Sequence, residues 1–142
     1  MGNKFIVKKL AESYEIQKSY DSQNFVEVVI KCRIYIESWL GEYIAAILYP
    51  NDVDHAEKNR AFVKQRFDSL FKQIDWLKRK GHIGQNDYDD LNNIRNFCDK
   101  VIKEGDVFAV VDLEQLDKYI EAAIYYCEKL KNDIQQIINE PL

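Results

Sequence analysis

Apolar residues recur along this chain at intervals of three and four, the spacing that lines one face of an α-helix. The clearest case lies near the end, where Leu113, Leu116, Ile120, Ala123, Cys127, Leu130, Ile134 and Ile137 form one seam. A segment from about Gln23 to Tyr49 is apolar on two sides. One stripe is Phe25, Val29, Cys32, Ile36, Trp39, Tyr43 and Ala46; the other is Val26, Ile30, Leu40, Ile44, Ile47 and Leu48. A helix that is apolar on most sides is buried on most sides, so this segment is predicted to be central. Pro50 ends it.

Three further helices are predicted. Lys4 to Ser19 has a weak stripe of Ile6, Leu10 and Tyr14, which suits peripheral packing. A helix from Asp54 runs along Val63, Phe67, Leu70, Ile74 and Leu77 to Gly81. Asp54 and Glu57 have the spacing of a capping box at its start, and Lys78, Arg79 and Lys80 offset the dipole at its end. Gly81 suits the left-handed position that follows. The fourth helix, Asp87 to Glu104, carries Tyr88, Leu91, Ile94, Cys98, Val101 and Ile102. A connector, Asp106 to Val111, leads to a second capping box, Asp112 to Gln115, with Val111 stapled to Leu116. No stretch alternates long enough to be a strand. The expected architecture is all-α, an up-and-down bundle of about five helices forming a single domain over residues 1–142.

Composition narrows the function classes. The chain has 142 residues, 46% of them hydrophobic, which supplies a core. The net charge of −4 argues against broad DNA or RNA binding, although it leaves room for a local basic pocket. The N-terminus has neither a signal-peptide core nor a complete myristoylation signal. The most apolar run, Trp39 to Pro50, contains Glu42 and is too short to cross a bilayer. Cys32, Cys98 and Cys127 each fall on an apolar stripe, as reduced core thiols of a cytoplasmic protein do. Of the two histidines, only His55 has nearby carboxylates, and no second carboxylate–histidine pair completes a bundle metal site. No metal and no cofactor is therefore expected. Tyr125 and Tyr126 give the last helix a second face. Either a subunit interface or the first helix can cover it.

The informative residues break the apolar pattern. Arg33 and Glu37 interrupt the central helix four residues apart, where they can meet as a polar pair. Arg95 sits within the apolar arc of the fourth helix. Burying an unpaired charge costs roughly several kcal/mol, so each arginine needs a carboxylate or a wet cleft. Glu37 is the expected partner of Arg33. For Arg95 no carboxylate partner is evident by helical spacing, so an internal pair and a functional cleft both remain open.

The stretch from Phe25 to Glu37 resembles the central helix of the HEPN superfamily, which commonly carries an Arg followed four residues later by Glu. Leu70-Phe-Lys-Gln-Ile-Asp-Trp-Leu77, Gly81-His-Ile83 and Leu91-Asn-Asn-Ile-Arg95-Asn96 resemble the branch found alone or fused to restriction-enzyme subunits, similar to the mannitol operon repressor. The resemblance implies an all-helical domain that pairs with a second copy. In active members, an Arg and a downstream His cleave RNA without a metal. Here Arg95 and Asn96 match the start of that motif, but the His does not follow, and Asp99 and Lys103 stand where the branch has other residues. Without an imidazole, no side chain in the motif has a pKa near neutrality to move the proton. The expectation is a non-catalytic homodimeric interaction module whose degenerate site is Arg95, Asn96, Asp99 and Lys103, with a protein or RNA partner. The resemblance places it in a prokaryotic or phage defence or toxin–antitoxin setting. The alternatives are a metal-independent RNA endonuclease with a modified Arg95 site and a mannitol-repressor-like co-regulator.

Overall fold

The computed structural model describes residues 13–50, 52, 54–104 and 113–139. Among these every regular element is an α-helix: α1 (Ser13–Asp21), α2 (Phe25–Leu48), α3 (Ala56–Arg66), α4 (Leu70–Arg79), α5 (Gln85–Glu104) and α6 (Leu113–Asn139). That is six helices where the periodicity predicts five. The stripe from Val63 to Leu77 is real, but two helices share it. The backbone leaves the helix at Phe67, and Ser69 starts a new one by accepting the Lys72 amide at 3.1 Å. An uninterrupted apolar stripe says nothing about the axis bending, whereas a serine competing for orphan amides does.

Local chemistry explains the other ends. Asn24 caps α2 by accepting the Glu27 amide at 3.3 Å, and its own amide reaches the Glu27 carboxylate at 2.7 Å. Gln23, in a left-handed conformation with φ of 60°, makes the tight turn from α1. After α4, His82 N–H bonds to the Leu77 carbonyl and Gly81 N–H to that of Lys78, a Schellman closure that needs the φ of +77° glycine adopts freely. The capping box expected at Asp54 and Glu57 is not formed. Asp52 reaches the start of α3 first, accepting from His55 N–H at 3.2 Å and from Asn59 Nδ2 at 3.2 Å. The second capping box, the Val111 staple and the connector lie outside the described residues, as do Ile6 and Leu10 of the first predicted helix.

As its double stripe requires, α2 packs against all five other helices. Its residues Val28, Val29, Cys32, Ile36, Leu40 and Ile44 are fully buried. Contacts fix the helix directions. Tyr119 bonds to the Val29 carbonyl at one end of α6, while Lys129 and Asp133 act on Tyr43 at the other, so α6 runs parallel to α2. Arg33 meets Asp99 and Tyr43 meets His82, so α5 runs antiparallel. So α2, α5 and α6 alternate in direction, as in an up-and-down bundle, while α3 and α4 meet at a corner without packing on each other. The first helix is less peripheral than its weak stripe suggests: Ile16 is buried, and Tyr20 donates to Asp117 of α6 at 3.0 Å. Tyr126 packs on the start of α5 rather than on α1, donating to Asp87 at 3.0 Å and Asp90 at 2.8 Å, while Tyr125 is exposed.

All three cysteines are free and buried. No described helix is long and apolar enough to cross a membrane.

The short α3 and α4 set up the site. At 1.5 Å per residue, α2 spans about 36 Å, while α3 and α4 span about 16 and 15 Å. They cover only the C-terminal half of the α2 face they pack on. Ile30 and Ile34, on the same face nearer its start, stay 37% and 55% exposed. Ile30 belongs to a stripe predicted to be core; the covering element is simply too short to reach it.

Candidate functional site

Where α2 emerges from under the α3–α4 corner, its polar break meets the polar break of α5. Arg33 Nη1 donates to Asp99 Oδ1 at 2.8 Å, and Arg95 Nη1 lies 3.6 Å from Asp99 Oδ2. One carboxylate thus bridges two guanidiniums. Glu37 is a more distant partner, its Oε2 being 3.9 Å from Arg33 Nε. The pair expected from spacing is present, but Asp99 is the closer ligand of Arg33. Arg95 has a carboxylate by helical spacing after all, since Asp99 lies four residues ahead of it. Its Nε also donates to Asn92 Oδ1 at 3.2 Å, and its guanidinium stands 5.3 Å above the Phe71 ring. Two arginines and two carboxylates sum to zero charge.

The network is half-buried. The arginine side chains are 28% and 24% exposed and that of Asp99 is 51% exposed. Burial works against the charge of Arg33, but the contacts with Cys98 and Asp99 outweigh it and raise its pKa. Nη1 also points at Cys98 Sγ, 3.8 Å away. Burial raises the pKa of that thiol in spite of the arginine, so it stays protonated.

Of the four residues of the degenerate motif, the structure brings Arg95 and Asp99 together. Asn96 and Lys103 are exposed on α5. Neither histidine takes part. His82 stacks on Trp76 with ring centres 5.5 Å apart, in the turn before α5, whereas Arg95 lies ten residues into that helix, roughly 15 Å along its axis. His55 is held by Asp52 at 2.8 Å before α3. Among the described residues no group of side chains is arranged to hold a metal ion.

Sequence reasoning missed the apolar surround. Ile30 and Ile34 flank Arg33 on α2, Phe71 lies beneath Arg95, and Ile102 follows Asp99 by one turn; their exposures are 37%, 55%, 52% and 46%. Ile34 and Glu37 also line a groove of about 880 Å³ between α2, α3 and α4, with Trp39, Phe67 and Gln73. Gln73 Nε2 donates to the Glu37 carbonyl at 3.1 Å. A charge-neutral polar centre ringed by exposed isoleucine and phenylalanine is suited to contact with another surface. An anion bound by these arginines would compete with Asp99 for them.

Compared with known protein families, curated proteins and solved structures, the chain finds no match in any of the three. The class defined by fold and site is an all-α helical bundle with a neutral arginine–carboxylate network beside exposed apolar side chains.

Proposed function

We propose that this chain is a non-catalytic, HEPN-like interaction module of the cytoplasm, and that it pairs with a second copy through the face around Arg33, Arg95 and Asp99. The observation that carries this reading is the bridging of both arginines by Asp99 within a ring of exposed apolar side chains. The charges are already matched, so the face is not built to wait for a phosphate. Its two cations and two anions are self-complementary, so a two-fold related copy can exchange partners across the axis while Ile34 and Phe71 bury each other's surface. The defence or toxin–antitoxin setting, and a protein or RNA partner beyond the dimer, come from the resemblance of Phe25 to Glu37 and Leu70 to Asn96.

The endonuclease reading needs a general base beside Arg95, and the nearest titratable group, Asp99, is committed to two arginines. Incubation of the protein with labelled single-stranded RNA separates the two readings. The wild type is expected to leave the RNA intact, with or without added divalent metal. Cleavage by the wild type that disappears in Arg95→Ala would overturn the proposal and establish the endonuclease.

A further inference from the structure

Charge is distributed unevenly along this chain. Between residues 56 and 80, eight Lys and Arg stand against three Asp and Glu, a net +5; the whole chain carries −4, so the remainder carries −9. Three of the eight cations are neutralised by carboxylates: Arg60 by Glu42 at 2.8 Å, Lys72 by Asp68 at 2.9 Å and Arg79 by Asp75 at 2.9 Å. Lys58, Lys64, Arg66, Lys78 and Lys80 make no ion pair among the described residues, although the Arg66 guanidinium stands 5.7 Å from the centre of the Phe67 ring.

Within this segment α3 is built unusually. Its inward residues, Val63 and the following Phe67, are buried, while the exposed flank beside them carries Lys58, Phe62 and Arg66 at intervals of four. Residues so spaced form one stripe along a helix. Lys58 and Arg66 are exposed, and Phe62 is 44% exposed between them. The two cations are about 12 Å apart along the axis, with the ring midway. Phe62 is thus half-exposed between two cations that no carboxylate neutralises.

We propose that this stripe of α3 binds a single-stranded nucleic acid, with Lys58 and Arg66 on backbone phosphates and the Phe62 ring against a base between them. Aromatic stacking platforms flanked by cations bind single strands without reading sequence. The spacing is on the order of two nucleotide steps of an extended strand. The −9 elsewhere repels the strand from the rest of the surface and confines it to this helix. An acidic protein would answer the charge equally well; the alternation of cation, ring and cation favours a strand, in which phosphates and bases alternate. This activity is separate from the proposed dimer face, which lies on α2, α4 and α5, so either can fail alone.

The test is fluorescence anisotropy of a labelled twelve-nucleotide oligouridylate at 50 mM salt. Saturable binding in the range of roughly 1–100 μM is expected, with a log–log salt slope near about −1.4 for two phosphate contacts. Lys58→Glu with Arg66→Glu is expected to weaken it about tenfold or more. Phe62→Ala is expected to weaken it about fivefold. Lys118→Glu with Lys131→Glu changes the net charge equally, on exposed positions of α6, and is expected to have less than about a twofold effect. Circular dichroism verifies that each variant is folded. The proposal is overturned by absence of saturable binding, by equal weakening in the α6 variant, or by oligoglutamate displacing the RNA at equal charge concentration. That last outcome would assign the stripe to an acidic protein.

Discussion

Asp99 holds two guanidiniums with one carboxylate, so its removal leaves Arg33 with the distant Glu37 and Arg95 with Asn92. Because the groups are partly solvated, the cost of Asp99→Ala is expected to be about 1 kcal/mol in a urea titration. Arg95→Ala should then cost less in that background than in the wild type, because its ion pair with Asp99 is already gone. Additive losses would show that the two residues do not act as one network. Tyrosine chemistry gives a second residue-scale expectation. Burial is the leading cause that raises the phenol pKa values of Tyr20, Tyr43, Tyr119 and Tyr126, and Asp117 adds to it for Tyr20 and Asp90 and Asp87 for Tyr126. A phenol whose folded pKa lies above its unfolded value of about 10 contributes stability fully below that pH and loses it as pH rises further. The fold is therefore expected to weaken progressively above pH 10. An absorbance titration should show these four phenols ionising at higher pH than the exposed tyrosines, and ionisation together with the exposed ones would contradict the packing around them.

At the scale of elements, periodicity identified the helices and located α2 at the centre, because two apolar stripes on one helix can only be satisfied by neighbours on both sides. It could not divide α3 from α4. Val63, Phe67, Leu70, Ile74 and Leu77 keep helical spacing across the corner, and the deciding residue is Ser69, whose hydroxyl takes the Lys72 amide. Ser69→Ala is expected to cost about 1 kcal/mol of stability, measured by thermal or urea denaturation. No loss would mean that the corner is held by packing alone. The same corner explains the partial legibility of the site. Arg33, Glu37 and Arg95 stand out in the sequence as polar interruptions of apolar stripes, whereas Asp99 enters only through the resemblance. Ile30 and Ile102 do not, because they extend those stripes, and only the short reach of α3 and α4 or the end of a packed neighbour leaves them exposed. Stripe membership reports what a helix can bury; exposure depends on how far its neighbours extend.

The whole molecule joins a neutral face on α2, α4 and α5 to a cationic stripe on α3. The first argues for contact with protein, and specifically with a copy of itself, since its charges complement their own two-fold image. An open pair of unmatched arginines would have argued for an anion, and the bridging Asp99 removes that opening. The most direct test of the central claim is light scattering of the purified chain at tens of micromolar, alongside Ile34→Asp. Ile34 is 55% exposed, so the substitution disturbs the face without disturbing the core, which far-ultraviolet circular dichroism verifies. The wild type is predicted to have about twice the 16.8 kDa mass of one chain, and the variant the mass of a single chain. A wild type that stays at one chain mass, or a variant that remains paired, would contradict the account.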